Sequence, residues 1–189
     1  MQDETLNVAR TGLSAWNPRR LVRGAAAVLG GALLLAASAK LQVPFYPVPM
    51  TMQTLVVLVM GALLGARLAS ATVALYLVEG LVGLPVFAGA VAGPTYVVGP
   101  TGGYLIGFLV VAACLGGLAD RGLLRSWLTL TLAMIVGHVA IFACGFGWLV
   151  VGLGVAKAWT VGVAPFYVAT ALKTALAIVL ARTLPRFSL

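Results

Sequence analysis

Residues 83–104 read GLPVFAGAVAGPTYVVGPTGGY, and six glycines and three prolines fall between Gly83 and Gly103 without one charged residue. A loop facing water normally carries Asp, Asn, Ser or Lys beside its glycines and prolines. Breakers without charge point instead to backbone at or near membrane depth. Irregular chain is tolerated there only where protein buries it or where it lines a cavity. Glycine lets the backbone approach a ligand closely, and proline limits the entropy lost on closing. Two readings stay open at this point: a loop that closes over a ligand, and a loop that merely caps a helical bundle.

Composition decides the solvent. The 189 residues are 62% hydrophobic and 8% charged, with a mean hydropathy of +1.10. Soluble domains carry about 25% charged residues and cannot hide so much apolar surface. The chain therefore reads as one integral membrane domain, residues 20–189, preceded by a short cytoplasmic segment, residues 1–19. Cys114 and Cys144 both sit in apolar runs and read as small hydrophobes. With His138 as the single histidine, no zinc or iron site is expected. The net charge of +8 reflects topology and attraction to anionic lipid, not nucleic acid.

A crossing helix needs about 20 mostly apolar residues. Charges and breakers divide the chain into six such runs, at about 20–41, 51–64, 66–82, 101–118, 124–147 and 165–183. The expected fold is thus an all-α bundle of six transmembrane helices, with outer loops covering a pocket. Six spans put both termini on one side with the loops after spans two and four. That side holds Arg10, Arg19, Arg20, Arg23, Arg67, Arg121, Arg125, Arg182 and Arg186, nine of the twelve basic residues. Cytoplasmic loops collect Lys and Arg, so both termini are expected inside the cytoplasmic membrane. Arg19, Arg20 and Arg23 before an apolar run ending in ASA at 37–39 also suggest a cleavable leader. Losing the first span would invert the charge balance, so that helix is expected to be retained.

On this topology the segments QVPFYPVPM (42–50), 83–104 and WLVVGLGVAKAWTVG (148–162) are outer connections. Ionisable groups within a membrane cost several kcal/mol and usually mark a site. Lys173 lies a third to halfway into span six from outside, too far from either end for comfortable snorkelling. Glu79, Gln53 and Tyr104 fall near the same outer depth on spans three, two and four. A buried lysine needs an anion, which Glu79 or a ligand carboxylate could supply. Glu79 reads equally well as a carboxylate among headgroups. His138, mid-span, reads as one end of an interhelical hydrogen bond.

Three stretches, LQVPFYPVPMTMQTLVVLVMGALLG (41–65), LYLVEGLVGLPVFAG (75–89) and GPTGGYLIGF (99–108), resemble the signatures of the BioY family. Its members are biotin-binding S components of energy-coupling-factor (ECF) transporters. The resemblance extends weakly through APFYVATALKTALA (164–177) and covers most of the membrane domain. It implies high-affinity capture of biotin from outside. Lys173 would meet the carboxylate, Gln53 and Tyr104 would make polar contacts, the backbone at Gly89 and Gly93 would close on the ligand, and Phe87 and Tyr46 would supply apolar surface. The family's Asp-x-x-Lys pattern appears here with Thr170 in place of the aspartate, and Val91 stands where relatives carry a polar residue. Both departures remove hydrogen-bonding capacity near the ureido group, and Glu79 could compensate.

GPTGGY lacks the lysine of a phosphate-binding loop, so ATP hydrolysis is not expected, and with no nucleophile–base pair or metal cluster in the sequence neither is another enzymatic activity. The resemblance implies a coupling membrane subunit and ATPase subunits as partners. No cofactor is implied, biotin being cargo. On helix one, Ala26 with Gly30 and Ala27 with Gly31 form small-xxx-small pairs suited to docking or to internal packing. A stand-alone facilitator or secondary transporter of biotin or a related small carboxylate is the alternative. Homo-oligomerisation is left open.

Overall fold

The computed structural model describes residues 18–187. Arg10 and nearly all of the 1–19 segment lie outside them. The elements in chain order are α1 (Pro18–Lys40), β1 (Gln42–Val43), β2 (Met50–Thr51), α2 (Gln53–Leu81), α3 (Pro94–Val97), α4 (Gly102–Asp120), α5 (Trp127–Leu153), α6 (Val155–Gly162) and α7 (Tyr167–Thr183). Among the described residues, five helical runs are long and apolar enough to cross a membrane, α6 and α7 counting as one.

One of the five is a hairpin. Gln53 and Tyr76 are 23 residues apart, yet their side chains share a hydrogen bond of 2.7 Å. A straight helix would separate them by about 34 Å at 1.5 Å per residue. The chain folds back at Gly65, where φ is +77° and ψ is 170°, a region essentially reserved for glycine. The Asp120 carboxylate accepts the Ala66 N–H at 3.0 Å and so caps the second half. A side chain at Gly65 would run into that carboxylate, and one at Gly116 would run into the Ala66 backbone. Counted as two, the halves of α2 match expected spans two and three, and the all-α, six-segment bundle stands.

Small residues let these helices touch. Gly61 faces Leu115, Gly107 faces Ile141 and Gly137 faces Leu58, bringing α2, α4 and α5 to the close approach on which membrane packing depends. On α1 the two small-residue pairs separate. Gly31 is buried against Thr72 and Met60, whereas Ala26 and Gly30 face outward, with nothing within 4 Å of a Cβ placed on Gly30. Of the two uses open to these pairs, Gly31 takes internal packing, while Ala26 and Gly30 keep an outward face.

The outer connections divide in the same way. Three prolines keep 42–50 out of helix, and its ends pair antiparallel, Gln42 opposite Thr51 and Val43 opposite Met50. Residues 82–101 form the expected loop, interrupted by the single turn of α3 with Pro94 at its start. Residues 148–162, expected as a connection, are helical apart from one break. Helix α5 runs on through Gly147 and Gly152, and the chain turns only at Gly154, with φ +76°. An isolated glycine costs a helix about 1 kcal/mol, which apolar packing readily offsets.

Candidate ligand-binding site

The polar residues of the outer ends of α2 and α7 form one connected string. Lys173 is only 8% exposed, and its Nζ donates to the Thr51 carbonyl at 2.9 Å. That is its one hydrogen-bond acceptor among the described residues, leaving two of the three ammonium N–H groups for something else. The Thr51 hydroxyl donates to Gln53 Oε1 at 3.2 Å, Gln53 Nε2 donates to Tyr76 Oη at 2.7 Å, and Tyr76 Oη donates to the Val86 carbonyl at 3.4 Å. The string thus joins α7, the β-hairpin, both halves of α2 and the glycine-rich loop. Tyr104 Oη donates to the Gly162 carbonyl at 2.6 Å, fastening α4 to α6.

Lys173, Gln53 and Tyr104 line one void of about 40 Å³, walled by Tyr96, Phe108, Phe142 and Phe166. The structure therefore brings together three of the expected contact residues. It adds Thr54 and Thr101, and the Thr54 hydroxyl is buried without a partner. Sequence reasoning missed Thr54, although it lies beside Gln53 at the helix start. A wider cleft of about 390 Å³ lies beside this void, between residues 42–49 and 88–101. Gly89, Val91 and Tyr46 line it, and Pro49, Tyr96 and Thr101 border both spaces. Burial pushes the Tyr96 phenol above its usual range and keeps it neutral as a wall between them.

Other expected contacts sit elsewhere. Phe87 is fully buried and does not line the void. Its ring stacks on Tyr96 at 4.5 Å and meets Tyr76 edge-on at 5.4 Å, in a space that exists because Gly80 has no side chain. Gly93 donates its N–H to the Gly80 carbonyl at 2.8 Å, holding the loop's far limb. Glu79 is half-buried and does not reach the void, so Lys173 is matched by a carbonyl instead of that carboxylate. Thr170 faces a different space, a groove of about 710 Å³ between α5 and α7 that it shares with His138 and Thr174. His138 Nδ1 and Thr174 Oγ1 lie 2.8 Å apart, the interhelical bond expected of that histidine. Larger though it is, this groove contains no charged group and suits hydrocarbon. The Lys173 void is where polar groups converge.

The BioY family model matches residues 7–188. The chain belongs to the BioY family. Over 151 residues it is 36% identical to the probable biotin transporter BioY of Pyrococcus horikoshii, an alignment covering 80% of this chain and 89% of that one. Over 147 residues it is 36% identical to the biotin transporter BioY of Rhizobium etli, covering 73% and 78%. Its fold is similar to the crystal structure of the S-component for biotin from an ECF-type ABC transporter. The TM-score is 0.79 at 22% identity, over 88% of this chain and 93% of that one. Membership in BioY, with its several apolar spans, makes this a membrane protein of a transporter family.

Proposed function

We propose that this BioY protein captures biotin at the outer face of the cytoplasmic membrane, as the substrate-binding component of an ECF-type transporter. The observation that carries the reading is the Lys173 ammonium, buried among apolar walls and answered by a single backbone carbonyl. A cation so placed is poised for an anion of matching depth. Biotin offers a carboxylate, an apolar ring and tail, and a ureido group that both donates and accepts. Its carboxylate would take the place of the Thr51 carbonyl on Lys173. Thr54, Thr101 and Gln53 then supply side-chain donors and acceptors for the ureido end.

Ligand sites usually measure about 300–1,000 Å³, against the 40 Å³ void present beside Lys173. Binding must therefore merge the void with the cleft beside it. The parts that separate them are a strand pair of two residues each and a loop with positive φ at Gly89 and Gly93. Both are inexpensive to displace compared with a packed helix. Val91 borders that cleft, whereas Glu79 and Thr170 line neither space and have no direct contact in this reading.

Energy would come from a coupling membrane subunit and its ATPases. The outward face of α1 at Ala26 and Gly30 is the surface offered for close helix packing. The arginines gathered in the terminal segments and in the connections after spans two and four favour a topology with both termini inside. Purified protein should bind biotin tightly and dethiobiotin more weakly, and vesicles should accumulate biotin only when the ATPase partners are present. Failure to bind biotin would overturn the reading. Undiminished uptake without the ATPases would turn it toward a stand-alone facilitator.

A further inference from the structure

Besides the bond from α5, where Trp148 Nε1 donates to the Gly99 carbonyl at 3.0 Å, the loop over residues 82–101 is fastened to the bundle from two further helices. Helix α2, from which the loop emerges, holds it through Gly80 O to Gly93 N–H at 2.8 Å and through Tyr76 Oη to Val86 O at 3.4 Å. The other attachment comes from α1. Lys40, the last residue of that helix, donates from Nζ to the Phe87 carbonyl at 2.7 Å and to the Gly89 carbonyl at 3.1 Å. These contacts span 47 and 49 residues of chain. Charge-assisted bonds of this kind are roughly twice as strong as neutral ones.

The position of the clasp matters more than its strength. Phe87 carries one of the two carbonyls, and its ring stacks on Tyr96, which walls the Lys173 void and the cleft beside it. Gly89, which carries the other, has φ +74° and open space around it. The loop thus has a swivel between the two carbonyls that Lys40 grips. Releasing Lys40 removes the α1 attachment of the Phe87 backbone and leaves the ring, and through it the Tyr96 wall, held only from α2 by Tyr76 and the space at Gly80.

We propose that Lys40 is the latch of the glycine-rich loop, a positioning residue that retains ligand by pinning Phe87 and Gly89 to the end of α1. The retained ligand is biotin only insofar as the functional reading above holds; the latch itself can be read without it. Ala88 lies between the two clasped carbonyls and is 3% exposed, so Ala88→Cys, with Cys114 and Cys144 replaced by alanine, reports lifting of the loop.

In ligand-free protein, a membrane-impermeant maleimide should label Ala88→Cys about tenfold faster once Lys40→Met is added, the change expected from losing a charge-assisted bond. Lys40→Arg, which restores the cation, should return labelling to within about threefold of the parent. Biotin should leave Lys40→Met about tenfold faster, with a smaller change in association rate and an unchanged melting temperature. Labelling that does not respond to Lys40→Met would overturn the latch. So would faster labelling with an unaltered biotin off-rate. If the parent fails to bind biotin while labelling responds as expected, the latch stands and the functional reading falls.

Discussion

Gly65 and Gly89 both have positive φ, near +77° and +74°, yet they sit in opposite surroundings. At Gly65 a side chain would strike the Asp120 carboxylate, and neighbouring Ala66 is packed against Gly116. At Gly89 a Cβ would meet nothing within 4 Å. The inner end of the hairpin is a turn packed shut and capped. The outer end is held by side-chain bonds to backbone carbonyls, from Lys40, Tyr76, Trp148 and Lys173. One end is built to stay and the other to let go. That division suits the proposed capture of ligand at the loop-bearing end.

The contrast is most open to attack through the two glycines. Gly65→Ala combines a backbone region nearly closed to other residues with a collision, so it should destabilise the protein by about 3 kcal/mol or more. Gly89→Ala pays only the backbone term, about 1–2 kcal/mol. Thermal unfolding in detergent compares the pair, and equal losses would remove the distinction. Asp120→Ala should cost about 1 kcal/mol by uncapping the helix that begins at Ala66, read by the same melt.

The outer end is sharpened by a variant that should leave stability alone. Thr54→Val removes a hydroxyl that has no partner, so the melting temperature should not fall. Biotin affinity should drop about fivefold to tenfold if that hydroxyl meets the ligand; an unchanged affinity places the ureido group elsewhere. The smallest effect on the isolated chain is expected from Gly30→Leu, whose side chain points into open space. Stability and biotin binding should be preserved while co-purification with the coupling subunit is weakened. Equal loss of both would make Gly30 part of the bundle's own packing.

Much of this was legible beforehand, for identifiable reasons. Charge is so costly in lipid that the basic residues, together with the proline- and glycine-rich breaks, mark most of the span ends. Lys173 was conspicuous for the same reason, and Gln53 and Tyr104 followed from shared depth. What escaped notice has no side-chain signature. The Lys40 clasp grips backbone carbonyls, which every residue possesses. Gly147, Gly152 and Gly154 look alike in sequence, yet only Gly154 breaks the helix, because packing overrides a weak propensity. Thr170 and Lys173 are three residues apart, which turns them about 60° from each other around the helix. That angle is enough for one to face the α5–α7 groove and the other the void beneath the loop.

The claim on which the functional account rests is that Lys173 reads a carboxylate. The direct test compares biotin with its neutral primary amide on the parent protein and on Lys173→Met. The account predicts that the parent prefers biotin strongly and that Lys173→Met loses about a hundredfold in biotin affinity, the cost of removing a buried charge partner. The amide should bind both proteins about equally. Biotin affinity that survives Lys173→Met, or an amide that binds the parent as tightly as the acid, would contradict it.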